Sequence, residues 1–199
     1  MNIHAPPTTC KPIIYLAGKI GKNDWRTQIF GSRFGAAPND GEDAYGFDRA
    51  LDETLTLDYG TFRYGGPFFV SCDHGCAHGP SSHGASAGGC LYETAHRGGR
   101  LERLESIYRV NCARIRRADY IFAYINETDC YGTLIELGYA AALDKPISIG
   151  LGHDLKIEAY LDLWMTRECA QHRCFRGTPL ETFHKFLSAS GIARLWADP

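Results

Sequence analysis

Short apolar runs alternate with longer segments of helical periodicity along most of this chain. Pro12-Ile-Ile-Tyr-Leu-Ala-Gly18 is an apolar run closed by glycine and predicts a first, central strand. Asn23 or Asp24 can cap a helix whose apolar face carries Trp25, Ile29 and Phe30. From Gly35 to Gly66 turn-forming residues dominate, with weak strand patterns at Thr54–Leu57 and Thr61–Tyr64. Pro67-Phe-Phe-Val-Ser71 predicts a firmer strand. Leu101, Leu104, Ile107, Tyr108, Cys112 and Ile115 recur at helical spacing, with charges on the other face, and predict a helix over 101–117.

A β-branched and aromatic run, Tyr120 to Ile125, reads as a buried strand, and a polar turn over 126–131 leads into a helix through Leu143. Beyond Lys145-Pro146 the pattern predicts a strand at Ile147–Leu151, helices over 154–168 and 179–189, and a short tail. Strands and helices in alternation predict an α/β fold, a mostly parallel sheet with helices on both faces.

With 199 residues the chain suits one domain over 1–199, with a loop-rich insertion at about 35–100. A net charge of −2 gives no field to attract a polyanion, so nucleic acid is not expected as a partner. No apolar run approaches the roughly 20 residues that cross a bilayer, and the first 11 residues lack a signal-peptide core; the expectation is a cytoplasmic protein with no membrane partner. Eight scattered cysteines in a chain this long read as reduced thiols.

Three sets of residues are candidates for chemistry. Glu136 lies about one turn into the helix after the Asp119–Ile125 run, where the helix dipole would favour its anion and suit it as nucleophile or base; on composition alone it reads as an ordinary first-turn glutamate. Lys19, Lys22 and Arg26 gather around a glycine-bearing turn that would suit a phosphate, or are solvated surface cations. Cys72, His74, Cys76, His78, His83 and Cys90 supply enough ligands for zinc, but their spacing matches no finger. The glycines after the three histidines suit tight turns around a ligand instead, so His74 and His78 are candidates for lining a site ahead of metal, with a neutral surface loop as the remaining reading. Trp25 is the tryptophan near a predicted site loop and can stack a nucleobase.

Ile14-Tyr-Leu-Ala-Gly18, Ala118-Asp119 at a strand start and Gly132-Thr-Leu-Ile-Glu-Leu-Gly-Tyr-Ala140 together resemble the nucleoside 2-deoxyribosyltransferase superfamily, which includes nucleotide N-glycosidases. The resemblance covers the first strand and about Asn111 to Leu151. It implies a doubly wound, flavodoxin- or Rossmann-like sheet and cleavage or transfer at the N-glycosidic bond of a (deoxy)nucleoside or nucleotide. It implies no cofactor, a small-molecule nucleoside or nucleotide as partner, and a homo-oligomer, dimer or larger.

Carried onto this chain, Glu136 would be the nucleophile, Tyr15 would orient it, and Asp119 would lie near the departing base. Gly18, Lys19, Trp25, Arg26, His74, His78, Asp129, Gly132 and Thr133 would surround the substrate. The family's further aspartate, two residues before the Gly-Thr pair, is Cys130 here, with Asp129 one position earlier. An alternative from another class is a nucleotide-sensing domain without turnover; NAD is an alternative substrate.

Overall fold

The computed structural model describes residues 11–19, 24–31, 52–68, 100–170 and 173–192. Six strands form one sheet: β1 (Ile13–Ala17), β2 (Leu57–Asp58), β3 (Arg63–Tyr64), β4 (Tyr120–Ile125), β5 (Ile147–Leu151) and β6 (Cys174–Arg176). Their order is β2-β3-β1-β4-β5-β6. Every pairing is parallel except that of β2 with β3. The described helices are α1 (Trp25–Phe30), α2 (Arg100–Arg117), α3 (Tyr131–Ala142), α4 (Ile157–Asp162), α5 (Trp164–Cys169) and α6 (Pro179–Ser190).

Strand alternation sorts the core into two layers. Side chains at successive strand positions point to opposite faces. Ile14 and Leu16 of β1 join Phe122 and Tyr124 of β4 on one face, beneath Trp25, Ile29 and Phe30 of α1 and Phe183, Phe186 and Leu187 of α6. Ile13, Tyr15 and Ala17 join Ile121, Ala123 and Ile125 on the other, covered by Ile115 of α2 and Leu137 and Ala140 of α3. Both faces are therefore apolar along each central strand, and helices lie on both sides. This is a doubly wound α/β sheet.

The aromatic layer is tightly meshed. Phe122 lies 5.2 Å from Phe183 and 5.3 Å from Phe186, centroid to centroid. α6 comes close enough to β5 that a Cβ at Gly150 would sit 2.5 Å from the Thr182 hydroxyl. α6 itself begins with a reciprocal cap: Thr178 accepts from the Glu181 N–H, and the Glu181 carboxylate accepts from the Thr178 N–H at 2.8 Å.

Two expectations need correction. Of the strand expected at Pro67–Ser71, Pro67 and Phe68 are not strand and 69–71 lie outside the described residues; just after β3 the Gly65 N–H donates to the Ile14 carbonyl, and the Gly66 carbonyl accepts from the Leu16 N–H. The helix expected over 154–168 is two short helices with Leu163 at the junction, buried while its neighbour Trp164 is exposed. β6 was not expected: its three residues, two partly buried and Arg176 exposed, are too few to show a pattern. Residues 52–68, within the expected insertion, supply β2 and β3 to the sheet.

The order β3-β1-β4 places a crevice. From β1 the chain goes first to β3 on one side, then crosses to β4 on the other. Loops at the carboxyl ends of β1 and β4 therefore diverge, and ligands in such sheets bind at that divergence.

Candidate active site

Two side chains meet beside this crevice. Tyr15 is the middle residue of β1 and fully buried on the α2–α3 face. Its hydroxyl donates to Glu136 Oε1 at 2.5 Å, across 121 positions of sequence. β4 brings this about by lying next to β1 in parallel, with Tyr15 opposite Ile121, so that the helix after β4 returns over Tyr15. Along α3, Thr133, Leu137 and Ala140 are buried on the inner side, and Glu136 is carried partly inward with them.

Burial dominates the electrostatics of Glu136. Its pKa is pushed from the usual 4.5 to about 7, mainly by desolvation; the Tyr15 hydrogen bond and the positive charge of Arg26 work in the opposite direction. The expected help from the helix dipole does not govern here. Glu136 is the sixth residue of α3, beyond the first turn where that field is strongest. Tyr15 is held well above the ordinary phenol range by burial and then by the neighbouring carboxylate, so it keeps its proton and remains the donor.

Asn111 of α2 adds a second contact that motif reading alone did not assign. Its Nδ2 lies 3.5 Å from the same Oε1. The signal was spacing: Asn111 stands one helical turn before Ile115, on the side of α2 that is covered. Arg114, expected on a charged outer face, is instead buried. It donates to the Asp52 carbonyl at 2.9 Å and stacks on Phe68 at 4.6 Å. It also packs against Gly66, whose missing Cβ would fall 2.9 Å from the Arg114 side chain and 3.5 Å from the Tyr15 ring.

Asp119 is not in this group. Its carboxylate accepts from the Ile13 N–H at 2.7 Å, and its own N–H donates to the Ile13 carbonyl. It ties the starts of β4 and β1 together, at the end of the strands opposite the crevice. The expected place beside a departing base is therefore corrected to a structural one.

The cations expected to meet a phosphate have other partners. Lys19 reaches across the crevice mouth to Glu127 at 2.6 Å and Asp129 at 2.8 Å. These contacts raise the Lys19 pKa and lower that of Asp129, which suits a fixed carboxylate and not a proton donor. Arg26 is wholly buried: Nη2 donates to the carbonyls of Leu16 at 2.7 Å and Gly18 at 3.0 Å, and Nη1 to Asp24 at 2.5 Å. A buried guanidinium so committed shapes the turn instead of presenting itself to solvent.

Trp25, expected to stack a base, is a core residue, 5.5 Å from Tyr124 and 6.0 Å from Phe122 on the face away from Glu136. Gly18 lets it come near: φ is +157°, and a Cβ there would fall 2.6 Å from the indole nitrogen. Thr133 is buried in the first turn of α3, while Gly132 beside it is exposed. Lys22, His74 and His78, and the zinc candidates Cys72, Cys76, His83 and Cys90, lie outside the described residues. Among the described residues no three histidines, cysteines or carboxylates gather closely enough to hold a metal ion, and no helix is long and apolar enough to cross a membrane.

A partly buried carboxylate hydrogen-bonded by a neutral phenol can do two things. Ionised, it can attack an electrophilic carbon; protonated, it can donate. A pKa near 7 keeps both forms populated at neutral pH. Among curated proteins none matches the chain. Residues 91–175, which take in α2, β4, α3 and β5 and so carry Glu136, match the family model for nucleoside 2-deoxyribosyltransferase, the family to which the sequence motifs pointed.

Proposed function

We propose that the protein cleaves or transfers the N-glycosidic bond of a (deoxy)nucleoside or nucleotide, with Glu136 as nucleophile. The observation that carries this reading is the 2.5 Å hydrogen bond from Tyr15 to Glu136, at the crevice of a doubly wound sheet, with Glu136 inside the segment matching that family. Glu136 attacks the anomeric carbon as the carbon–nitrogen bond breaks; the bonding pair leaves with the base, which takes up a proton. The developing positive charge on the sugar is stabilised by the carboxylate, and a glycosyl ester forms. Water, or a nitrogen of a second base, then attacks the same carbon and returns Glu136 as a carboxylate.

Tyr15 and Asn111 both address Oε1, which leaves Oε2 as the oxygen for attack. The phenol holds the carboxylate in one orientation, so little reorganisation is needed as charge develops. Because burial disfavours the anion, the carboxylate gains when its charge is neutralised by ester formation.

The test is to incubate the pure protein with deoxynucleosides, nucleoside 5′-monophosphates and NAD and to measure free base. Release from at least one class, lost in folded Glu136→Ala, is the expected result. Tight binding of a nucleoside or nucleotide with no product, unchanged in Glu136→Gln, would instead establish a sensing domain.

A further inference from the structure

We infer that Arg114 is a positioning residue for the Tyr15–Glu136 pair: it clamps α2 to the backbone beside Tyr15 and so fixes the two groups that address Oε1 relative to each other. The inference rests on Glu136 being the reacting group. The two groups are the Tyr15 phenol and the Asn111 amide, and they come from different elements, β1 and α2. Their convergence on one oxygen lasts only while those elements do not slide past each other.

Arg114 stands where the two elements are joined. On the β1 side Gly65 and Gly66 bracket Tyr15: the Gly65 N–H donates to the Ile14 carbonyl and the Gly66 carbonyl accepts from the Leu16 N–H, each at 2.8 Å. Arg114 packs on this bracket. A Cβ at Gly66 would fall 2.9 Å from Arg114 Cδ and 3.5 Å from Tyr15 Cε2, the ring carbon next to the one bearing the hydroxyl. Gly66, at φ +118°, thus lets the arginine stem and the phenol ring close on the same spot. Beyond it the guanidinium lies 4.6 Å over the Phe68 ring and donates from Nη2 to the Asp52 carbonyl at 2.9 Å. Asn111 stands one turn before Arg114 on the same helix, so these contacts also fix the height of the amide. Arginine is seldom buried so completely, and an anchor for α2 alone could sit at the surface, as Arg117 does on the Glu53 carbonyl.

The test reads the hydroxyl proton of Tyr15 by NMR. At 2.5 Å between oxygens, in a buried site, that proton resonates well downfield. It is assigned by its loss in Tyr15→Phe and needs neither substrate nor turnover. Arg114→Met keeps the stem and removes the guanidinium; the resonance is expected to move upfield or to be lost to exchange. Asp119→Ala, which loosens β1 at its other end, is the control for general destabilisation and should leave the resonance in place. With the substrate class that releases base, Arg114→Met should lower kcat about 10- to 100-fold with KM little changed.

A resonance that stays in place in Arg114→Met, or moves equally in Asp119→Ala, would make Arg114 a structural anchor only and overturn the inference; so would an unchanged kcat. Should Arg114→Met fail to fold, Phe68→Leu decides, since it removes the ring beneath the guanidinium: movement of the same resonance supports the role, and none refutes it. Failure of the parent protein to release base would sink the enzymatic reading and leave the resonance test standing, so the two failures are not confused.

Discussion

At Glu136 two influences oppose each other, and their balance sets the pH at which the residue works. Burial favours the protonated form; the Tyr15 hydroxyl favours the anion. In Tyr15→Phe the second influence is gone, so the Glu136 pKa rises above about 7 and the acid limb of kcat/KM moves to higher pH. Loss of one oriented donor should also reduce turnover at neutral pH by about 100-fold. A pH–rate series on both proteins measures each effect; an acid limb that stays in place would show that the phenol does not address the reacting carboxylate. Motif reading had named Tyr15 and Glu136 as partners before any geometry. The roles of Arg26 and Trp25 were not readable in the same way, because a cation or an indole near a site loop looks alike whether it faces solvent or the core. Burial decides between these, and burial is a property of the fold.

At the scale of elements, the long and strongly periodic segments were the legible ones. β1, α2, β4, α3, β5 and α6 all follow from their apolar spacing. β6 escaped because three residues, two partly buried and one exposed, carry no period, and the α4–α5 break escaped because apolar residues continue on both sides of Leu163. Asp119 shows a subtler limit. Its position at a strand start was plain, and that start lies at the end of the parallel strands away from the crevice; the strand order decides only between which strands the crevice opens. Asp119→Ala removes an acceptor that joins β4 to β1 and should cost about 1–2 kcal/mol in denaturant unfolding, while changing kcat/KM no more than a few-fold. A loss of activity well beyond that, with stability intact, would return Asp119 to the site. For α6, Thr178→Ala removes one half of the reciprocal cap and should cost about 1 kcal/mol by the same measurement.

For the whole molecule, the proton on Glu136 links the site to stability. Its folded pKa lies above the ordinary 4.5, so the unfolded chain ionises first as pH rises. The stability associated with retaining the proton is fully present below about 4.5, declines through the window up to about 7, and is lost above it. Glu136→Gln has no such group. Its stability relative to the parent should therefore improve by about 1–3 kcal/mol between pH 4 and pH 8, by unfolding at both pH values. A difference that does not change with pH would mean that the carboxylate is solvated in the folded state. Helices on both faces of a mostly parallel sheet were legible from the alternation of strands and helices, but the order β2-β3-β1-β4-β5-β6, which makes the crevice, was not, because strand patterns alone do not specify neighbours.

The most direct test of the account is to trap the glycosyl ester. The protein would be mixed with the substrate class that releases base, quenched in acid within the first turnover, digested and analysed by mass spectrometry. The account predicts a peptide carrying one sugar residue on Glu136, absent from Glu136→Gln and from samples without substrate. Base release at full rate with the sugar on another side chain, or full activity in Glu136→Gln, would contradict it.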